Sequence, residues 1–505
     1  MLQVKRNLLF NIVSLVVNII VGFLYTPYLV DSLGIVAYGI VPLAMIVSEY
    51  ISILTTSLTG SLTRFYSVRI NNGNYEEASS YLSGALVVMF GIILICIPII
   101  SLIIWKLNII FNIPNEFINS AKILITFTFL SFLMSLVSSF FGIVLYANNR
   151  IDLLNKINIL RVSSKVLINV LLFELLFVDV KFVGIGGFIG EILVGIYSYF
   201  LFKKVINQNF SIKINKFEGA VFSTLFSTTL WIILHQIGDL AIYKTDILFV
   251  NKFWNTSYSG ILGAISSFGS YIMMLIGVIS SLFGPLILIA YSKNNHKEVK
   301  ELALNNSLLV GLLTALIVSL LIGYSYEFLE LWLGSDYAIY HSWLDFKLVS
   351  LPFYASSGVF AFVYRSWDRV RFPALTTVFI GLVTIVSTYM ISFFSNGSTI
   401  YINYILIFNS LFCVLQTFVL GGFMFRSIYS DIAWSSIVFI GIKFIFSMVC
   451  IVTISRVMAN YFAIYSWLSL TASVALSGVI GFVLIYFVFM NSRQREYLYK
   501  VVLKK

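Results

Sequence analysis

Charge is scarce in this chain: only 10% of its 505 residues are Asp, Glu, Lys or Arg, whereas a soluble domain carries about a quarter. With 60% hydrophobic residues, a water-soluble fold is excluded, because no soluble core could absorb that composition. Cysteine is nearly missing as well. Cys96, Cys413 and Cys450 all fall inside apolar runs, where a free thiol behaves as a small hydrophobe, so neither a disulfide framework nor a metal site is expected. The chain also lacks a phosphate-binding glycine loop, a metal-ligand constellation and a nucleophile with its base. No cofactor and no enzymatic activity are therefore expected, and any transport must draw on a gradient or on the supply of substrate. The net charge of +11 is scattered through short loops without an aromatic-interleaved basic patch, which argues against a nucleic-acid partner. Nor is there a small-x-small cleavage site after the first apolar run, so that run is expected to stay as a helix rather than leave as a signal peptide.

What the chain has instead is a series of apolar runs of about 20 residues, the span of a bilayer's hydrocarbon. Hydropathy places the first seven at Asn7 to Val30, Tyr38 to Leu58, Tyr81 to Ile104, Ala121 to Leu145, Ile157 to Val178, Val183 to Phe202 and Ala220 to Val250. The other seven are Gly260 to Ile289, Ala303 to Gly323, Trp343 to Tyr364, Ala374 to Phe394, Ile402 to Phe423, Ile432 to Ile454 and Trp467 to Phe489. The expected fold is thus an all-α integral membrane protein of about fourteen transmembrane helices. Placing the N-terminus in the cytoplasm puts most of the 32 basic residues on that side, Arg64, Arg69, Arg150, Lys156, Arg161, Lys165, Arg365 and Arg369 among them. Cytoplasmic loops carry the excess of positive charge, so both termini are expected to be cytoplasmic.

Sliding the chain on itself by 220 positions brings Tyr28-Leu29-Val30-Asp31-Ser32-Leu33 onto Leu248-Phe249-Val250-Asn251-Lys252-Phe253, and Tyr38 onto Tyr258. Asn71-Asn72 then meets Asn294-Asn295, and Tyr146 with Arg150 meets Tyr364 with Arg369. The order of these matches predicts two six-helix repeats, residues 1–205 and 206–425, followed by two additional helices and a basic cytoplasmic tail in 426–505. Repeats of this kind recur in transporters, with the substrate site between halves that rock against each other.

Polar residues inside apolar segments must face a partner helix or water. The first segment carries Asn11, Asn18 and Tyr25 at a spacing of seven, the second Glu49, Ser52, Thr56 and Gly60, and the eighth Ser267, Ser270, Ser280 and Ser281. Each Ser or Asn alone fits interhelical bonding as well as cavity lining. The seventh segment reads His235-Gln236-Ile237-Gly238-Asp239-Leu240-Ala241-Ile242-Tyr243-Lys244-Thr245-Asp246. His235, Asp239, Tyr243 and Asp246 share one face, with Lys244 opposite, able to pair with Asp246 or to enter another crevice. Ionisable groups in a membrane are functional candidates by default, and burial raises a carboxylate's proton affinity. Asp239 and Glu49, with His235 and Asp246, are therefore the ion-coupling candidates, whereas Glu174 and Glu191 lie nearer segment ends, where a side chain can snorkel. Lys244, Lys443, Arg64, Arg150, Arg365 and Arg369 are the cations within or at the inner ends of segments. The stretches Arg64 to Ser79 and Lys293 to Leu302 have the pattern of surface amphipathic helices or of solvated connectors.

The opening NLLFNIVSLVVNIIVGFLYTPYLVDSLGIVAYG, the inner loop LTRFYSVRINNGNYEEAS, Pro27, the Gly34-to-Gly39 turn and the charged middle of the seventh segment make the chain resemble a polysaccharide flippase of the multidrug/oligosaccharidyl-lipid/polysaccharide exporter superfamily. The resemblance covers essentially the whole length. It implies translocation of undecaprenyl-diphosphate-linked oligosaccharide repeat units, for O-antigen or capsule, from the cytoplasmic to the outer leaflet of a bacterial cytoplasmic membrane. Lipid-linked oligosaccharide, membrane lipids and other polysaccharide-assembly membrane proteins are the implied partners. Such a cargo needs cations for its diphosphate, for which Lys244, Lys443, Arg64, Arg150 and Arg369 are the candidates, with Asn11, Asn18 and Tyr25 lining the path. A drug or cation antiporter of the same superfamily is the first alternative. A membrane polysaccharide polymerase or ligase is the second, disfavoured because the longest outer loop, Glu327 to Ser342, is short and holds no obvious catalytic pair.

Overall fold

The computed structural model describes residues 2–205, 219–281, 283–367 and 369–503, and among them no β-strand occurs. Twelve helical spans are long and apolar enough to cross a membrane. Two further helices, 25 and 35 residues long, are as long but less apolar, and these two carry Arg161, Lys165, Asp239 and Lys244. The chain is an all-α, multi-pass membrane protein.

Contacts divide it into two compact units, residues 1–264 and 265–505. The first unit holds α1 (Leu2–Leu33), α2 (Ile40–Asn71), α3 (Tyr75–Trp105), α4 (Ile118–Ala147), α5 (Ile151–Leu175), α6 (Lys181–Val205) and α7 (Gly219–Phe253). The boundary falls within α8 (Thr256–Ser281). The second unit holds α9 (His296–Gly323), α10 (His341–Ser366), α11 (Arg371–Phe393), α12 (Ile400–Ile428), α13 (Trp434–Phe462) and α14 (Trp467–Phe489).

In a lipid solvent, apolar burial no longer drives helices together, so close packing at small residues and interhelical hydrogen bonds must do so. The run Gly184, Gly186, Gly187, Gly190 on α6 supplies the first of these. A Cβ at Gly186 would stand 1.8 Å from Asn169 Oδ1, and one at Gly190 would stand 3.1 Å from the Lys165 backbone nitrogen. α6 can therefore lie against α5 almost backbone to backbone. In the second unit Gly311 of α9 plays the same part against the Phe444 ring of α13, with 2.1 Å to a would-be Cβ. The outer faces are apolar: Phe90, Leu94 and Ile97 on α3 and Phe379, Leu382 and Val386 on α11 are all exposed, as lipid contact requires.

Helix α3 starts at Asn74, whose side chain accepts from Glu77 N at 3.2 Å and donates to Glu77 Oε2 at 2.7 Å. Helix α9 starts at Asn295 in the same way, with Glu298 at 3.2 and 2.8 Å. The preceding residue is left-handed in both, Gly73 at φ 75° and Asn294 at φ 54°. The structural match is thus Asn74 with Asn295, two positions beyond the sequence match of Asn72 with Asn295, because the turn needs a residue tolerant of positive φ before the cap. These turns also show that Arg64 to Ser79 forms no separate surface helix: it is the end of α2, a tight turn, and the start of α3. Lys293 to Leu302 is likewise a turn leading into α9.

Candidate functional site

Among four helices of the first unit lies a cavity of about 380 Å³, reaching from near the starts of α2 and α6 to about their middle. Its walls come from α2 (Ala44, Ser48, Glu49, Ser52), α4 (Thr128, Ser131, Ser135, Ser139), α5 (Arg161, Lys165) and α6 (Val183, Gly187, Glu191). Arg161 sits ten residues into α5, about 15 Å from its start at 1.5 Å per residue. It therefore belongs to the interior of the helix and not to a loop, where its contribution to the loop-charge bias had placed it.

Arg161 forms a charged contact within the cavity, to Glu191. Its Nε lies 2.9 Å from Glu191 Oε2 and its Nη2 lies 3.0 Å from Oε1, a two-pronged guanidinium–carboxylate pair. Ser138 on α4 closes the triangle, accepting from Arg161 Nη2 at 2.9 Å and donating to Glu191 Oε1 at 3.2 Å. The Glu191 side chain is 7% exposed and that of Arg161 35%. Lys165 follows Arg161 by four residues, on the same face of α5, and no hydrogen bond or ion pair within 4 Å engages its ammonium among the described residues. Serine and threonine hydroxyls make up most of the remaining polar lining; Ser52, Thr128, Ser131 and Ser135 donate to backbone carbonyls of their own helices, and their oxygens can accept from hydroxylated ligands.

Glu49, on the opposite wall, pairs with Lys244 of α7 at 3.6 Å. Lys244 thus joins neither Asp246 nor an empty crevice. Further along the same α2–α7 seam, Thr56 donates to Gln236 Oε1 at 3.2 Å. His235 Nδ1 lies 3.2 Å from Asp239, one turn apart on α7. Asp246 is fully buried, with an oxygen 3.0 Å from Ile247 N.

The remaining sequence candidates are distributed more widely. Tyr25 accepts from Asn169 of α5 and stacks on Tyr28, which stacks on Phe173. Asn18 turns back onto Ser14 O at 2.6 Å, and Asn11 is half-buried on α1. Arg150 caps the start of α5 and grips Asp152 at 3.1 Å, joined there by Arg6 at 3.0 Å. Arg369 is exposed beyond α10. Lys443 donates to the carbonyl of Phe489 at 2.8 Å, where α14 ends in a π-helical turn. The Arg64 and Ser281 side chains lie outside the described residues. Of the named candidates, Glu49 and Ser52 line the cavity, and Lys244 is tied to it through its pair with Glu49. Arg161, Lys165 and Glu191 were missed as site residues, although the spacing of two cations by four inside a predicted segment was a usable signal.

No protein-family model matches the chain. A curated relative, the uncharacterized membrane protein EpsK of Bacillus subtilis (strain 168), is 26% identical over 383 residues, 74% of each chain. Among solved structures, the lipid II flippase MurJ in an inward closed conformation superposes with a TM-score of 0.64 at 15% identity, covering 96% of this chain and 100% of that one. An inward-facing multidrug resistance MATE family transporter of the MOP superfamily gives a TM-score of 0.64 at 13% identity, over 82% of this chain and 96% of that one. The chain therefore shares the fold of MOP-superfamily transporters, a class that spans drug exporters and a flippase.

Proposed function

We propose that the protein is a flippase that moves undecaprenyl-diphosphate-linked oligosaccharide repeat units from the cytoplasmic to the outer leaflet of a bacterial cytoplasmic membrane by alternating access. The observation that carries this reading is the cavity among the long helices of the first unit that holds Arg161 and Lys165 among serine and threonine hydroxyls. Cations inside membrane-spanning helices are costly unless they are paired or functional. A guanidinium and an ammonium one helical turn apart suit a diphosphate, and hydroxyl walls suit the first sugar. A volume of about 380 Å³ is in the range of small-ligand sites. It accommodates the diphosphate and its neighbouring sugar, with the rest of the cargo extending beyond. The fold shared with a lipid II flippase supports a lipid-linked cargo, and the basic bias of the loops supports cytoplasmic termini.

The acidic groups Glu49 and Asp239, with His235 beside the latter, serve in this reading as the ion-coupling groups. An equal TM-score with a multidrug transporter favours a drug or cation antiporter as the second reading. Expression in a strain whose own repeat-unit flippase is deleted separates the two. Wild type should restore surface polysaccharide, and Arg161→Gln/Lys165→Gln should lower it at least about tenfold at equal membrane abundance. Undiminished polysaccharide in the double variant would overturn the assignment of Arg161 and Lys165 to the cargo site, and drug resistance without polysaccharide would refute the flippase reading.

A further inference from the structure

Arg161 is already occupied, by an anion of the protein's own. Both oxygens of Glu191 lie against its guanidinium, at 2.9 and 3.0 Å, in the fork geometry that a phosphate would need. Lys165, four residues on, faces the same cavity. We infer that Glu191 is a resident counter-anion that competes with the cargo's phosphate for Arg161 and thereby sets how tightly the cargo is held and how readily it leaves. The inference rests on the reading of the cargo as a lipid diphosphate.

The charged groups around this pair are few. From α5 Glu191 faces Arg161 and Lys165, and from α4 it meets only the Ser138 hydroxyl. Across the cavity stands Glu49, whose charge is opposed by Lys244. With no cargo, Glu191 neutralises Arg161, so the cavity does not carry a bare guanidinium through the membrane interior, where an unpaired charge is costly. When a phosphate takes Arg161, Glu191 needs a new partner, and Lys165 lies one turn along the same helix face. No bond is made or broken and no proton moves: two anions share two cations. On release the carboxylate returns to Arg161 and expels the phosphate. A cavity of two free cations would bind the cargo more tightly and discharge it more slowly.

The test uses the full-length protein in nanodiscs, with undecaprenyl diphosphate as probe and uncharged undecaprenol as control. Glu191→Gln keeps the shape and a hydrogen bond to Arg161 but removes the competing charge. It should bind undecaprenyl diphosphate at least about tenfold more tightly than wild type, with undecaprenol unaffected and with slower flipping in proteoliposomes. In an Arg161→Gln background the gain should vanish, and Glu191→Asp should behave like wild type. Equal or weaker binding by Glu191→Gln, while Arg161→Gln loses affinity, overturns the counter-anion role and leaves the cargo reading intact. A wild type that binds undecaprenyl diphosphate no better than undecaprenol overturns the cargo reading, and the counter-anion role with it.

Discussion

Within its helices the first unit carries Arg161 against Glu191 at 2.9 Å and Lys244 against Glu49 at 3.6 Å. The described interior of the second unit instead joins Ser307 to Ser356, Gln416 to Thr377 and Thr388 to Asn409, the last at 3.3 Å. Its described ion pairs stand at helix ends, as Lys300 with Asp431 and Arg456 with Asp345 at 3.9 Å. Two units with the same helix-start geometry at Asn74 and Asn295 have thus been given different interiors. Neutral hydrogen bonds between helices stabilise by about 0.6 kcal/mol on average and suit a permanent joint. Ion pairs in a membrane cost more to bury than they return unless well paired, so their concentration around one cavity is what the proposed function asks of a unit that meets a charged cargo.

The sharpest way to break this contrast is to remove one partner on each side. Arg161→Ala leaves the Glu191 carboxylate buried without its guanidinium. It should cost about 2–4 kcal/mol, at the lower end of the usual range for a broken buried pair because the Arg161 side chain is a third exposed. Ser307→Ala removes one hydroxyl and should cost about 1 kcal/mol or less. Thermal or SDS unfolding of the two variants in the same detergent measures both. Equal losses would mean that the ion pair is no more consequential than a serine contact.

A second comparison is steric. Gly186→Ala drives a methyl into Asn169 Oδ1, whose amide is already committed to Tyr25, and Gly311→Ala drives one into the Phe444 ring. Each should cost about 1–3 kcal/mol. Only the first displaces α6 from α5 and so disturbs Arg161 and Glu191. Transport measured at matched abundance should fall for Gly186→Ala and hold for Gly311→Ala. The reverse result would move the working site to the second unit.

The helices themselves were legible, because lipid demands apolar runs of a set length, and each of the fourteen predicted runs corresponds to a helix. Partners were far less legible. Lys244 sits on α7 opposite His235, as its spacing requires, but that it meets Glu49 depends on α2 being the neighbour, which no periodicity reports. Arg150 reads as an inner-end cation, yet its hydrogen bonds go to Asp152 two residues later. Arg161 and Lys165 were obscured by the charge rule itself: counting them with the loops improved the bias while hiding them from the list of interior cations. Glu191 was assigned to a segment end, although it follows Gly187 and Gly190, the residues that let α6 approach α5 closely enough for the pair to form.

The smallest expected effect lies at helix ends, where the two units are most alike. Asp152 is wholly buried, and Gln3, Arg6 and Arg150 reach it at 2.8, 3.0 and 3.1 Å. Asp152→Asn should cost about 1 kcal/mol, since both arginines regain water. Asp431 is exposed, and its hydrogen bond to Lys300 holds the carboxyl below the ordinary carboxylate range. A depressed folded value means that this contribution is present above the unfolded value of about 3.9 and is lost as pH falls through the lower folded one. Asp431→Asn should therefore leave the unfolding midpoint unchanged at neutral pH, because exposed pairs contribute little. Below about pH 4, the protection of the amides at residues 429–433, taken relative to their intrinsic exchange rates, should fall in wild type and stay flat in Asp431→Asn. A midpoint that drops as far for Asp431→Asn as for Asp152→Asn would show that exposure does not separate the two helix-end pairs.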